Sequence, residues 1–364
     1  PCIPFISIGG KCLVRNLDKM FEIIDEFLTG YAFSDLSRLQ NLLLEYRSAL
    51  ESMIVHSGHR LAISLASRNF SLSAALNENW HGVHQVKAIK ALTDDLSEKK
   101  LKEIARDLNA IGKTLFSRNN LKVALIGEED PLKRAVSLVK EMEKKLPENE
   151  NAGFSASGLS EAFLPEEIPH EGWSTSSAVS FVARTFRTVR MGHEDSPALS
   201  VIAKLLRSLY LHREIREKGG AYGGFSIYSP EDGQFCFASY RDPHIANTLN
   251  VYEQAFGFIR SGTFSEEDIK EAILQACSEI DKPDPPGPAA RKAFYRKLLG
   301  LSDEKRNRHK NYLLKLSREK ILEVAEKYFD PKNQNHAVAV ISGEDQLEDA
   351  NRKLKENALK IYSI

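Results

Sequence analysis

The side chains that most directly signal metal chemistry are histidines at helical spacing, and this chain has two such pairs. His56-x-x-His59 and His81-x-x-His84 each set two imidazoles about one helical turn apart. Neither pair has the glutamate that a zinc hydrolase motif needs, and no further ligands can be located for either. They read more simply as polar helix or loop histidines. Cys2, Cys12, Cys236 and Cys277 are widely spaced with no C-x-x-C, which argues against a zinc ribbon or a disulfide framework. Free thiols in a reducing compartment are expected. Arg216 and Tyr222 bracket the string R-E-K-G-G-A-Y-G. Taken alone, Arg216 is a cation at a helix C-terminus, worth about 0.3–1 kcal/mol against the dipole, and Tyr222 is a strand aromatic against the core. Further on, Arg241 and Asp242 could lie near a substrate, but an Asp before Pro243 at a helix start reads first as a cap.

The elements that must position these residues are legible around them. Ser196-Pro197 is a helix start, a hydroxyl at the N-cap followed by proline where its missing N–H does no harm. Leu199, Ile202, Leu206 and Leu209 continue at helical spacing, and the basic turn His212, Arg213, Arg216, Lys218 precedes the stop at Gly219-Gly220. A hairpin follows: Ala221 to Tyr228, a turn over Pro230-Glu231-Asp232-Gly233, and a return strand Phe235 to Tyr240. Asp281 to Pro288 is too dense in proline for a helix and is expected as a loop. The run Asp303-Glu304-Lys305-Arg306, with Arg308, His309 and Lys310, is expected as a solvated helix face.

These elements occur within a duplication. Phe33-Ser34-Asp35 and Phe264-Ser265-Glu266, 231 residues apart, each open a helical pattern. Leu96 to Ala105 echoes Leu316 to Ala325, and Val123 to Glu128 resembles Val338 to Glu344 as an apolar strand running into a final helix. The second copy has an opening strand, Ala178 to Arg187, that the first lacks. Between the copies, Leu146 to Ser177 is rich in Pro, Gly, Glu, Asn and Ser and reads as a linker. The expected organisation is therefore 1–145, a linker over 146–177, and 178–364, in an α+β class with helices packed on a mainly antiparallel sheet. The chain begins at Pro1 inside an apparent strand, Ile3 to Ile8, so it is expected to be a piece of a longer protein with a truncated first copy.

Bulk properties limit the partners. The 364 residues are 42% hydrophobic, enough to bury a sizeable core. Fifty basic residues balance fifty acidic ones, which provides no electrostatic reason to expect nucleic acid or an anionic membrane. No apolar run approaches the roughly 18 residues that a bilayer span requires.

R-E-K-G-G-A-Y-G at Arg216 to Gly223, F-A-S-Y-R-D-P at Phe237 to Pro243 and G-K-C-L-V-R-N-L-D-K at Gly10 to Lys19 together resemble the C-terminal half of the presequence-protease branch of the insulinase/pitrilysin zinc metallopeptidases. The resemblance covers essentially the whole chain, with the linker its weakest part. It implies two insulinase-type α/β domains, the third and fourth of four, in a protein whose halves close around a chamber. It also implies that zinc is held by an H-x-x-E-H motif in the N-terminal half of the same polypeptide; no such motif exists here, so no metal is expected on this chain. Arg216 and Tyr222 match an arginine and a tyrosine, six residues apart, that reach the substrate in that family and would act as catalytic contacts. Gly219, Gly220, Ala221 and Gly223 would line the bound peptide. The implied activity is zinc-dependent cleavage of unstructured peptides by the full-length protein, in a bacterial cytoplasm or an organelle matrix, with this piece inactive alone. The rival readings are a non-catalytic scaffold of the same superfamily and a generic α/β peptide-binding module.

Overall fold

The computed structural model describes residues 2–148, 164, 167–332 and 335–364. They form two compact units interleaved along the chain, one drawn from Pro1–Ser48, Ile89–Leu159 and Pro283–Leu301, the other from Ala49–Ala88, Ser160–Lys282 and Ser302–Ile364. Most of the segment expected as a linker lies outside the described residues.

The first unit is helical among the described residues. It contains α1 (Leu17–Thr29), the start of α2 (Leu36–Ser67), the end of α4 (Val83–Thr93), α5 (Glu98–Leu115), α6 (Glu129–Lys145) and α10 (Pro286–Leu299). Ser97 caps α5 by accepting from the Lys100 amide, and Leu101 and Ala105, one turn apart, close on Leu39 of α2. Leu28 of α1 meets Met142 of α6 and Leu146 in a second small cluster. The expected strands at Ile3–Ile8 and Val123–Ile126 are not formed. A strand holds its shape through a paired neighbour, and neither segment has a ladder partner among the described residues. Pro286 and Pro288 lie in the first turn of α10, where proline is tolerated, so the loop expected over 281–288 shrinks to 282–285.

The second unit carries a six-stranded sheet in the order β3-β4-β2-β5-β1-β6. The strands are β1 (His170–Ser174), β2 (Phe181–Arg187), β3 (Gly223–Ser229), β4 (Gln234–Tyr240), β5 (His336–Ser342) and β6 (Lys360–Ser363). β3, β4, β2 and β5 pair antiparallel in that order, while β1 runs parallel to both β5 and β6. β1 falls in the stretch read as a linker. Trp173 is its one large apolar side chain, so no alternation marks it, and Gly172 leaves room for Leu347 to approach.

β2 is buried on both faces, as a central strand must be. On one face Val182 and Phe186 join Phe235, Phe237, Val338 and Val340 beneath the helices α7 (Ser196–Leu205), α8 (Ala246–Ser261), α9 (Glu266–Asp281), α12 (Arg318–Phe329) and α13 (Glu344–Leu354). On the other, the tail of α2 crosses the strand: the Thr185 hydroxyl is 3.4 Å from that of Ser67, and the Phe181 ring lies against Gly58. α3 (Leu72–His81) follows on this side, where the Ser73 hydroxyl donates to Asp232 at 2.7 Å. Arg68, after α2, and Glu171 of β1 form a buried pair at 2.6 Å. α11 (Asp303–Leu314) exposes most of its charges, but His309 is buried, so that face is only partly solvated. The paired cues of the duplication do matching work: Asp35 and Ser265 cap α2 and α9, and Ser97 and Ser317 cap α5 and α12.

α7 does not begin as expected. Ser196 makes no capping bond; its hydroxyl accepts from the Tyr228 phenol at 2.9 Å instead. The residue before it, Asp195, is the more consequential one. Its buried carboxylate is held by Lys327 at 2.6 Å, Lys320 at 3.1 Å and the Tyr328 hydroxyl at 2.9 Å, fastening the start of α7 to α12. Burial pushes the Asp195 carboxyl up, but the bonds from Lys327, Tyr328 and Lys320 outweigh it and hold the group at about 2.

This packing leads to two expectations about stability. A carboxyl whose native pKa is depressed stabilises the fold above its ordinary range near 3.8, and that contribution fades as pH falls toward 2. Asp195→Asn should therefore cost about 1–3 kcal/mol at neutral pH, and its deficit against wild type should close between about pH 4 and 2 in denaturant melts. A constant deficit across that range would show that the charge is not what matters. At Gly58, an added Cβ would stand 2.3 Å from the Phe181 ring. Gly58→Ala is expected to destabilise by about 1–3 kcal/mol even though alanine is the better helix former by about 1 kcal/mol; a rise in urea midpoint would refute the close contact.

Candidate active site

After Leu205 the helix continues as a π-helix over Leu206–Glu217, and its buried residues Leu206, Tyr210, Leu211 and Ile215 recur at four- to five-residue spacing. That is the wider period of a π-helix, a form uncommon at this length and frequent at functional sites. Leu209, expected in the buried stripe, is only partly covered. Arg216 lies in the last turn, exposed, with Nη1 3.2 Å from His212 Nε2, and the other nitrogen of His212 is 3.2 Å from Glu217.

The chain then reverses through Gly219-Gly220. Gly220 has φ +75°, a conformation in which a side chain would be strained. Its amide reaches back to the Arg216 carbonyl, and the amide of Ala221 to that of Ile215. Ala221 is buried in the core, so its side chain faces away from solvent. Tyr222 follows, its amide donating to the Tyr240 carbonyl at 3.0 Å, and Gly223 opens β3 directly across from Tyr240. The Tyr222 side chain is 71% exposed although its backbone is part of the sheet.

The turn thus brings Arg216 and Tyr222 to adjoining element ends, one closing the helix and one entering the edge strand, without a hydrogen bond between them. Tyr222 has other neighbours. Its ring meets Tyr240 edge-on at 6.3 Å and 87°, and the Arg241 guanidinium lies 5.9 Å from the Tyr222 ring and 5.6 Å from the Tyr240 ring. Tyr240 in turn packs on His59 of α2 at 4.8 Å, and His59 on Phe225 of β3 at 6.0 Å. Partial burial and the charge of Arg60 both lower the His59 pKa, favouring the neutral ring.

Arg241 is one of two non-glycine residues with positive φ among the described residues, at +49°. Such a conformation costs about 1–2 kcal/mol. It is held from both sides: Tyr240 by the β3 ladder, and Asp242 by paired backbone bonds of 2.8 Å to and from Ser180. Asp242 itself is buried, accepting from the His244 amide at 2.9 Å and the Thr248 hydroxyl at 2.7 Å, so the cap-like reading fits its surroundings. Burial pushes its carboxyl up against the bonds from Ser239, Thr248 and His244. Tyr240 and His59 were not among the expected site residues. The hairpin register would have exposed Tyr240, because a turn over 230–233 sets it opposite Gly223. No local signal could have brought His59 there, since α2 reaches the hairpin only through tertiary packing.

The histidine pairs do not form a metal centre. His84 Nδ1 is 3.0 Å from the buried Glu78 carboxylate, and His59 is held by aromatic rings. Among the described residues no three His, Cys, Asp or Glu side chains converge to hold a metal, so the residues present do not fit zinc. Nor is any described helix long and apolar enough to cross a membrane.

Comparison with known proteins agrees with this arrangement. The family model described as the PreP C-terminal domain matches residues 171–344, and the model of the domain associated with subfamily C of the M16 peptidases matches residues 2–92. The mitochondrial presequence protease of Danio rerio is 30% identical over 94% of this chain and 34% of its own length. The chloroplastic/mitochondrial presequence protease 1 of Arabidopsis thaliana is 26% identical over 95% of this chain and 31% of its own. The chain therefore spans about a third of the length of the curated relatives it matches. In fold it is similar to pitrilysin (TM-score 0.60, 13% identity, 96% of this chain and 35% of that one). It is also similar to a peptidase M16 inactive domain from Pseudomonas fluorescens (TM-score 0.58, 14% identity, 90% and 74%). With both family models aligned along it and presequence proteases matching nearly its whole length, the chain is a presequence-protease-like member of the insulinase superfamily.

Proposed function

We propose that this chain is the C-terminal half of a zinc metalloendopeptidase that degrades unstructured peptides in a closed chamber, with 1–145 and 178–364 as its third and fourth insulinase-type domains. Metal and general base come from the N-terminal half of the same polypeptide, and this half supplies substrate and transition-state contacts. The observation that carries the reading is the exposure of Tyr222: a large aromatic left in solvent on a backbone locked into the sheet, six residues after an exposed arginine. In this role the Arg216 guanidinium donates to a substrate carbonyl, and the Tyr222 phenol donates to the oxygen on which negative charge develops. β3 is an edge strand, paired only with β4, so its free side is open to an extended peptide beside Gly219, Gly220, Ala221 and Gly223. A flexible peptide can adopt that conformation, whereas a folded protein cannot without unfolding. A reducing compartment, organelle matrix or bacterial cytoplasm, suits the four free thiols and the organelles named for the relatives.

Peptide hydrolysis by the full-length protein tests this. Tyr222→Phe should lower kcat by about tenfold to a thousandfold with little change in KM, the signature of a contact made in the transition state. Arg216→Ala should lower kcat/KM by a similar factor and also raise KM, because a carbonyl is held before the reaction as well as during it. Unchanged kinetics in both would reduce this half to a chamber wall. A full-length protein with no zinc-dependent hydrolysis would make the scaffold reading the correct one.

A further inference from the structure

We propose that Arg241 is a positioning residue for Tyr222: its guanidinium, set in the corner between the perpendicular rings of Tyr222 and Tyr240, holds the exposed phenol in the orientation that the reaction uses. The inference rests on the reading of Tyr222 given above. A side chain that is 71% exposed has little packing to fix its χ angles, so something must restrict it if it is to donate in one direction. The Arg241 guanidinium lies within 6 Å of both ring centroids, close enough for a cation–π attraction to each. Arg241 Nε is buried and has no hydrogen-bond acceptor among the described residues. No carboxylate among those residues pairs with the guanidinium either, so its charge is directed at the rings.

The backbone points the same way. A left-handed conformation at an arginine is unfavourable, and it persists because the Tyr222–Tyr240 bond and the Ser180–Asp242 bridge clamp both sides of it. Glycine would occupy that φ without strain. The position instead carries a long cationic side chain, and the left-handed backbone delivers it over Tyr222.

The test uses the full-length protein and four variants. Arg241→Gln should lower kcat by about three- to thirtyfold, the range expected of a cation–π contact partly shielded from water, with KM within about twofold. Arg241→Lys should recover a substantial part of the loss, since it restores the cation. Combining Arg241→Gln with Tyr222→Phe should give a protein no slower than Tyr222→Phe alone, because the positioning residue has nothing left to act through. Arg241→Gly should lose kcat as Arg241→Gln does while its Tm holds or rises, since the backbone strain is relieved. Additive losses in the double variant, full kcat in Arg241→Gln beside an impaired Tyr222→Phe, or a kcat loss matched by a fall in Tm in Arg241→Gly would each overturn the proposal. If Tyr222→Phe itself keeps full kcat, the catalytic reading of Tyr222 has failed, and a different measurement decides the positioning. With 3-fluorotyrosine at position 222, the 19F spectrum should show one restricted ring environment in wild type and Arg241→Lys, and an averaged, shifted signal in Arg241→Gln. Identical spectra in all three would rule positioning out.

Discussion

The candidate site depends first on the register of β4. That strand lies between β3 and β2, pairing Tyr240 with Gly223 on one side and Ala238 with Ala183 on the other. Side chains alternate across a sheet, so a slip of one residue would turn Tyr240 to the opposite face and move every neighbour of Tyr222 with it. The register is pinned from both faces. Phe235 and Phe237 are buried in the main core together with Phe186, while Ala238 and Cys236 face the side that α2 covers. Beyond the strand end, the Ser180–Asp242 bridge continues the pairing and Asp242 ties the chain into α8. Tyr240 and Arg241 therefore stand at the point where the ladder stops, supported on both sides and open on the third.

The same unit shows where polar groups are buried and what compensates them. Asp195 sits at the start of α7 and is neutralised by two lysines and a phenol from α12. Arg68 and Glu171 satisfy each other, and the Glu171 carboxylate also accepts from the Trp173 indole at 3.0 Å. These are ion pairs with donors arranged around them, the condition under which a buried charge is tolerated. Arg241 differs in kind. It has rings where these have oxygens, and its backbone is under strain. A fold that satisfies its buried charges elsewhere with carboxylates and hydroxyls retains one cation against two aromatic faces, beside the most exposed aromatic of the hairpin.

The π-helix adds a second constraint. A π-helix advances less per residue than an α-helix and turns less at each step, so Arg216 reaches the turn at a different angle from the one an α-helix would have provided. The two glycines then bring the chain back within a few residues, and Ala221 and Tyr222 enter the sheet without a connecting loop. Helix end, turn and edge strand are one continuous hydrogen-bonded piece, which is why side chains six residues apart can serve one location.

Much of this was legible in the residues themselves. Ser265 and Ser317 cap their helices through bonds that need only a hydroxyl three residues ahead of an amide. The hairpin over 223–240 follows from alternation and a glycine turn, and the string around Arg216 and Tyr222 is local chemistry at local spacing. What the sequence could not determine were the contacts that depend on distant partners. β1 carries a single large apolar residue and becomes a strand because β5 and β6 offer it two ladders; Val123–Ile126, more apolar, has no such partner among the described residues and stays irregular. His59 reads in sequence as half of a possible metal pair, but tertiary packing lays it on Tyr240 and Phe225. Arg241 reads as a charge beside a helix cap, and only the clamped left-handed backbone turns it over Tyr222. Helix caps, turns and periodicity are decided within a few residues, so sequence alone determines them; a strand's partner or a ring's neighbour is decided by which surfaces the folded chain brings together.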